Sequence, residues 1–197
     1  MTARLVVLAS GSGTLFQALL DAPQRGADFE VAALITDQPA AKAVERAALA
    51  GLAIAVISLS DYEDRAAWNR ALADAIDYYA PDLVVSAGFM RVIGEPGVSR
   101  FQGRLINTHP ALLPAFPGAH AIRDALAAGV SETGATVHYI DSGVDTGEVI
   151  AQAAVPVLPG DDEATLHERV KVVERRLLLE TVLKMIAAIN REGSAHE

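Results

Sequence analysis

Short apolar runs, nearly unbroken in Leu, Val, Ile and Ala, alternate with stretches of helical periodicity. This alternation restricts the chain to a narrow set of folds. The runs are Leu5–Ala9, Val31–Thr36, Ile54–Ile57, Leu83–Ala87 and Leu105–Thr108. Between them, Thr14–Asp21 and the Ala-rich segment Ala40–Ala50 read as helices. Asp61 is a candidate cap for a long helix from Tyr62 to about Tyr79, which Pro81 stops. Strands that are apolar on both faces must be covered on both, and helices between them supply the cover. The expected class is α/β: a three-layer, mostly parallel, twisted sheet with helices on both faces and right-handed crossovers.

The second half changes character. Pro110, Pro114 and Pro117 crowd one segment, which must be loop, and Leu113-Pro114 is a candidate cis bond. Thr133–Tyr139 and Val149–Val157 read as strands. The run Asp141-Ser142-Gly143-Val144-Asp145-Thr146-Gly147 between them suggests a hairpin or a turned-back strand. A helix of about 26 residues is expected from Ala164, with Leu166, Val170, Val173 and Leu177 on the stripe that packs on the sheet. Glu192–Glu197 reads as a frayed polar tail. Residues 1–197 are expected to form one domain, with an N-terminal half over about 1–100 and a C-terminal half over about 101–197.

Hydrophobic residues make up 51% of the chain, enough for a full core. With no cysteine, disulfides, thiolate metal sites and a cysteine nucleophile are excluded, and a reducing compartment fits. No apolar stretch approaches transmembrane length, and Leu5–Ala9 is too short for the apolar core of a signal peptide. The net charge of −9 repels nucleic acid and anionic lipid, while a small anion held by local amides remains compatible with it. An oligomer is compatible with the sequence.

Ser10-Gly11-Ser12-Gly13-Thr14 lies between the first strand and the first helix, where glycines let backbone amides approach an anion. A dinucleotide fingerprint would need its third glycine at Phe16, although Asp37 sits where a ribose-binding acid could stand. A tight turn without ligand is a second reading. A monophosphate site matches the short glycine turn best. Asn107 and His109 end the fifth strand on one side of it, at the edge where open α/β sheets bind ligands. An amide and an imidazole aimed at one point make an oxyanion site, and Asp145 is a candidate partner for the imidazole. A lone histidine is more often an ordinary hydrogen-bonded loop residue, and spacing alone does not bring Asp145 to His109. His138 reads equally as a hydrogen-bonded residue behind the site or as catalytic. Glu174 reads as a substrate ligand or as a helix partner of Lys171. His120 is expected to shape the proline loop, His167 and His196 to lie on the surface, and Trp68 and Tyr62 to pack.

Together these segments resemble the glycinamide ribonucleotide formyltransferases of purine synthesis, within the folate formyltransferase family. The resemblance rests on Ser10–Thr14, Ala87-Gly88-Phe89-Met90-Arg91, Ile106-Asn107-Thr108-His109-Pro110-Ala111-Leu112-Leu113-Pro114, Phe116-Pro117-Gly118-Ala119-His120, Gly134-Ala135-Thr136-Val137-His138 and Val144-Asp145-Thr146-Gly147. It covers nearly the whole chain in the family order, and the Asn-x-His-Pro segment with Leu-Leu-Pro is its most specific part. It implies a Rossmann-like formyltransferase fold with a phosphate-binding N-terminal half and a folate and catalytic C-terminal half. It further implies a cytoplasmic enzyme of one-carbon metabolism, with 10-formyltetrahydrofolate as co-substrate, no metal, and glycinamide ribonucleotide as acceptor. By the same resemblance, Asn107, His109 and Asp145 match the catalytic trio. Gly13, Thr14, Leu15, Gly88 and Glu174 match the ribonucleotide site, with Gly88 and Met90 where the two substrates meet. Arg65, Met90, Arg91, Val92, Asn107 and Asp141 match the folate site. One departure stands out: where the family often has Gly-Ser-Asn, this chain has Gly13-Thr14-Leu15, and Leu15 offers only its backbone N–H.

Four rivals remain at this stage. A formyltetrahydrofolate deformylase normally carries an extra N-terminal regulatory domain. A tRNA-directed formyltransferase normally carries an extra C-terminal domain and must bind RNA. Neither domain is read in this acidic chain. The others are an NAD(P)-binding dehydrogenase and a non-catalytic nucleotide-binding module.

Overall fold

The computed structural model describes residues 2–194. Seven strands, β1 (Ala3–Leu8), β2 (Phe29–Thr36), β3 (Ala53–Val56), β4 (Leu83–Ser86), β5 (Leu105–His109), β6 (Glu132–Tyr139) and β7 (Val149–Pro156), form one sheet in the order β3-β2-β1-β4-β5-β6-β7. The pairs from β3 to β5 are parallel, and β6 and β7 join antiparallel. The helices are α1 (Thr14–Gln24), α2 (Lys42–Leu49), α3 (Arg65–Tyr78), α4 (Gly97–Arg100), α5 (Ala121–Ala127) and α6 (Glu163–Ser194).

Strand alternation divides the core between two faces. Leu5 and Val7 of β1 pack with Phe16 and Leu19 of α1, Ala43 and Ala47 of α2, and Leu177 and Val182 of α6. Val6 and Leu8 pack the other way, with Trp68, Leu72 and Ile76 of α3 and with Phe101. The stripe of α6 divides as well: Leu166 and Val170 cover Ile122 and Val155, while Leu177 joins the main cluster. No described helix is long and apolar enough to cross a membrane.

Several boundaries differ from the sequence reading, each for a local reason. Asp64, not Asp61, caps α3, because its carboxylate accepts from Ala67 N–H at 2.6 Å. Asp61 ends a short 3₁₀ turn, Leu59–Asp61, so the helix starts at Arg65 rather than Tyr62. Helix α1 continues past Asp21 through Pro23 in its last turn. Asp162 accepts from Thr165 N–H at 2.8 Å, starting α6, which runs 32 residues. Residues 192–194, expected as frayed tail, are therefore helical, while the rest of that tail, with His196, lies outside the described residues. The short helices α4 and α5 carry no periodicity strong enough to announce them.

Two consequences of topology place the site. The chain moves outward from β1 to β2 and β3, then returns to the other side of β1 as β4, so the connections leaving β1 and β4 diverge and open a crevice. The antiparallel entry of β6 puts His138 opposite Asn107 and Thr136 opposite His109. Trp68 anchors the face away from α6: it is fully buried, lies parallel to Phe89 at 6.3 Å, and donates its indole N–H to Ile57 O at 2.8 Å. Trp68→Ala is expected to lower unfolding free energy by about 3–5 kcal/mol in urea denaturation, through a cavity and an orphaned carbonyl.

Candidate active site

The glycine loop is built against α2. Gly13 is the N-cap of α1 with φ +67°, and a Cβ there would meet the Ala43 Cβ at 2.9 Å. Ala43 N–H donates to Gly11 O at 3.1 Å, and the Arg46 guanidinium donates to Ser12 O and to the Gln17 side chain, both at 2.9 Å. A glycine turn so held at the start of a helix is an arrangement suited to a phosphate. Leu15 turns its side chain into the core beside Phe16, so only its N–H can serve an anion. Ser10 ties this loop to the next one: its N–H donates to Gly88 O at 3.1 Å, and its hydroxyl accepts from Met90 N–H at 2.8 Å. The same hydroxyl donates to Asp37.

Asp37 is buried, and it also receives Arg91 Nε at 2.7 Å and Gln38 Nε2 at 3.1 Å. Burial raises its carboxyl, but the bonds from Ser10, Arg91 and Gln38 outweigh that and hold it below the usual range. A carboxylate so occupied is not free to take a ribose diol, which removes the strongest support for a dinucleotide site.

At the mouth of the sheet, one carboxylate gathers four donors. Asp145 Oδ2 lies 2.8 Å from Gly118 N and 3.3 Å from His109 Nδ1. Its Oδ1 lies 3.4 Å from Asn107 Nδ2 and 3.5 Å from His138 Nε2. Asn107 Nδ2 also lies 3.2 Å from His138 Nε2. The structure thus brings Asp145 to Asn107 and His109, from which it is far in sequence, and adds His138. Burial works against ionisation of Asp145, yet the bonds from His138 and the Gly118 amide and the charge of the two imidazoles prevail, bringing its carboxyl down to about 2.

Ring protons follow from the partners. His109 Nε2 is 2.8 Å from Phe116 O, which only accepts, and its Nδ1 faces the carboxylate. Both contacts are satisfied when both nitrogens carry hydrogen, the imidazolium form. His138 Nδ1 donates to Tyr139 O at 2.8 Å, so Nε2 accepts from Asn107 in the neutral ring and donates to Asp145 in the charged one. Phe116 and Asp145 both adopt φ +54°, a left-handed backbone that costs about 1–3 kcal/mol per residue in this setting. Nothing in residue type marks Phe116 or Gly118, since each acts through a backbone atom.

The remaining expected residues fall in different places. Gly88, Met90, Arg91, Val92 and Asp141 border a cleft of about 230 Å³ shared with Asn107, His109 and Asp145. Met90 and Val92 are exposed there, giving the cleft an apolar rim. Asp141 Oδ1 accepts within its own loop, from Gly143 N–H at 3.0 Å and the Thr146 hydroxyl at 2.7 Å. Arg65 lies over the Trp68 ring at 4.6 Å and donates to Val92 O. Glu174 stands behind β5, 4% exposed, where the Thr108 hydroxyl donates to it at 3.1 Å and burial pushes its carboxyl up. The alternative pairing of Glu174 with Lys171 is not made; Lys171 takes Glu168 at 2.7 Å. Leu113-Pro114 is cis.

A glycine turn at a sheet switch point together with an amide–imidazole–carboxylate cluster suits an open-sheet group-transfer enzyme that works on a carbonyl. The family model described as Formyl transferase matches residues 3–182. A phosphoribosylglycinamide formyltransferase of Mycobacterium tuberculosis is 56% identical over 180 residues, 91% of this chain and 83% of that protein. The trifunctional purine biosynthetic protein adenosine-3 of Drosophila pseudoobscura pseudoobscura is 42% identical over 200 residues, covering 96% of this chain and 15% of that one. The crystal structure of glycinamide ribonucleotide transformylase 1 from Symbiobacterium toebii superposes with a TM-score of 0.92 at 42% identity, covering 95% of this chain and 89% of that chain. The chain belongs to the formyl transferase family.

The acidity of Asp145 links the site to stability. Its folded value, about 2, lies below the ordinary 3.8, so its contribution is fully present above pH 4 and is lost as pH falls through 2. Stability measured by denaturant unfolding is expected to fall less steeply with acid in Asp145→Asn, by about 2 kcal/mol between those limits. Gly13→Ala, strained in φ and pressed on α2, is expected to lose more than about 1 kcal/mol in thermal unfolding.

Proposed function

We propose that the enzyme transfers the formyl group of 10-formyltetrahydrofolate to the amine of glycinamide ribonucleotide, in de novo purine biosynthesis. The products are formylglycinamide ribonucleotide and tetrahydrofolate. The observation that carries this reading is the contact of Asp145 with His109 beside Asn107, in a cleft whose Gly88 and Met90 are hydrogen-bonded to Ser10 of the glycine loop. The names of the relatives support the same substrate and pathway.

In this reading the ribonucleotide phosphate lies on the amides of Gly13, Thr14 and Leu15. Its glycinamide chain passes Gly88 and Met90, where it meets the folate. The folate occupies the cleft along Met90, Arg91, Val92 and the loop of Asp141, with Arg65 towards its acidic tail. Glu174 is assigned to the ribonucleotide. Because its carboxylate sits behind β5, that assignment requires the substrate to reach the α6 side of the strand.

The neutral amine attacks the formyl carbon, forming the N–C bond and driving the carbonyl electron pair onto oxygen. His109, charged and held between Asp145 and Phe116 O, stabilises that oxygen through its charge, both ring hydrogens being already committed. Asn107 turns one amide hydrogen to it by giving up its long 3.4 Å contact with Asp145. A water held by Asp145 takes the proton of the attacking nitrogen and returns one to the folate nitrogen as its C–N bond breaks. Proton and formyl group thus cross in opposite directions, and no oxidant or reductant enters.

A coupled assay with both substrates, followed by folate absorbance, tests the reaction. Product must form only when the ribonucleotide is present; folate turnover without it identifies a hydrolase and overturns the proposal. Asn107→Ala and Asp145→Asn are each expected to lower kcat by about two orders of magnitude or more with the fold retained, consistent with about 3–4 kcal/mol for one preorganised donor. Near-normal turnover in either variant contradicts the assigned roles.

A further inference from the structure

Three regions beyond Asn107, His109 and Asp145 use polar groups heavily: the Ser10–Asp37–Arg91 junction, the Arg46 brace behind the glycine loop, and a polar cluster on the antiparallel hairpin. The last carries an inference furthest. Thr136 faces His109 across the β5–β6 pair, and Gln152 of β7 faces Thr136 in the next register. The Thr136 hydroxyl is fully buried; it donates to Ala111 O at 2.6 Å and accepts from Leu113 N–H at 3.1 Å and Gln152 Nε2 at 2.9 Å. The other Gln152 amide hydrogen goes to Leu113 O at 2.8 Å. A hydroxyl has one hydrogen to give and two lone pairs, and a carboxamide nitrogen has two hydrogens. All of that capacity is used, so neither group has a hydrogen left for substrate. Alongside them, Gly134 leaves room for Leu112, whose side chain would stand 2.6 Å from a Cβ at that position.

These bonds pin the backbone of Ala111 and Leu113 at the start of the proline loop. The same loop then delivers two backbone atoms to the site: Phe116 O to His109 and Gly118 N–H to Asp145. We infer that Gln152 and Thr136 form a clamp that positions the His109–Asp145 pair through the proline loop, making both of them positioning residues for formyl transfer. The inference rests on the roles proposed above for His109 and Asp145. It explains why the buried Thr136 hydroxyl spends all its hydrogen-bonding capacity on the start of this loop and on Gln152, an exposed residue of β7, since a half-satisfied hydroxyl there would leave an expensive orphan.

The test uses Thr136→Val and Gln152→Met, which keep shape and remove the hydrogen bonds, with Thr136→Ser as the conservative control. Each of the first two is expected to lower kcat by about tenfold or more while both KM values stay within about threefold. The double variant is expected to be little worse than either single one, because they break one device. Thr136→Ser is expected to retain turnover within about threefold. Amide hydrogen exchange at Leu113 and Gly118 is expected to accelerate in Thr136→Val and Gln152→Met while α6 stays protected, a readout that does not need activity. Unchanged kcat in both variants, a loss confined to KM, or unaltered exchange at Gly118 overturns the clamp. An inactive wild-type chain instead removes the proposed reaction, and exchange at Gly118 still decides whether the clamp holds the loop. Should Thr136→Val fail to fold, Gln152→Met alone decides by the same criteria.

Discussion

One ionised carboxylate organises the working end of this molecule. Asp145 is taken largely out of water, a position that by itself favours its protonated form, and it stays charged because two imidazoles, a carboxamide and a backbone amide converge on its two oxygens. Remove the charge and each donor loses the acceptor that orients it. His109 then has a carbonyl on one nitrogen and no anion on the other, and Asn107 is free to turn. The left-handed backbone of Asp145 is tolerated because four contacts and the closed loop around Gly143 and Thr146 over-determine it.

The sheet makes that convergence possible by its change of direction. Five parallel strands end at one edge, and the switch between β1 and β4 opens the crevice beside the glycine loop. The antiparallel entry of β6 then sets His138 and Thr136 directly against Asn107 and His109. A sixth parallel strand would have needed a crossover helix and would have put no histidine beside Asn107 in that register. The net charge of −9 is compatible with the anionic substrate proposed, because helix-start amides act at contact range while the long-range field is screened.

Much of this architecture was legible in the sequence because its signals are local. Apolar runs marked the first five strands, and the turn chemistry of residues 141–147 announced the hairpin of the last two. Asn107 and His109 were placed together by alternation alone. What escaped was set by contacts or by weak local signals. Asp61 and Asp64 are the same residue type three apart, and only the bond to Ala67 decides which one caps α3. Helices α4 and α5 are too short to show a period. Asp37 looked like a ribose ligand until its neighbours proved to be Ser10 and Arg91. Glu174 and Lys171 had the spacing of a helical pair, yet burial turned one inward while the other met Glu168.

Sequence by itself determined the α/β class, the succession of strands, the position of the glycine turn, and the candidate residues Asn107, His109 and Asp145. Each of these depends on what a residue is and on its near neighbours. Tertiary structure alone decided that Asp145 meets His109, that His138 stands beside Asn107, and that Phe116 and Gly118 contribute through their backbones. Those contacts join residues separated by 36, 31, 7 and 27 positions. No local propensity encodes them, because they exist only once the sheet has brought its strand ends to one edge and the hairpin has folded back across it.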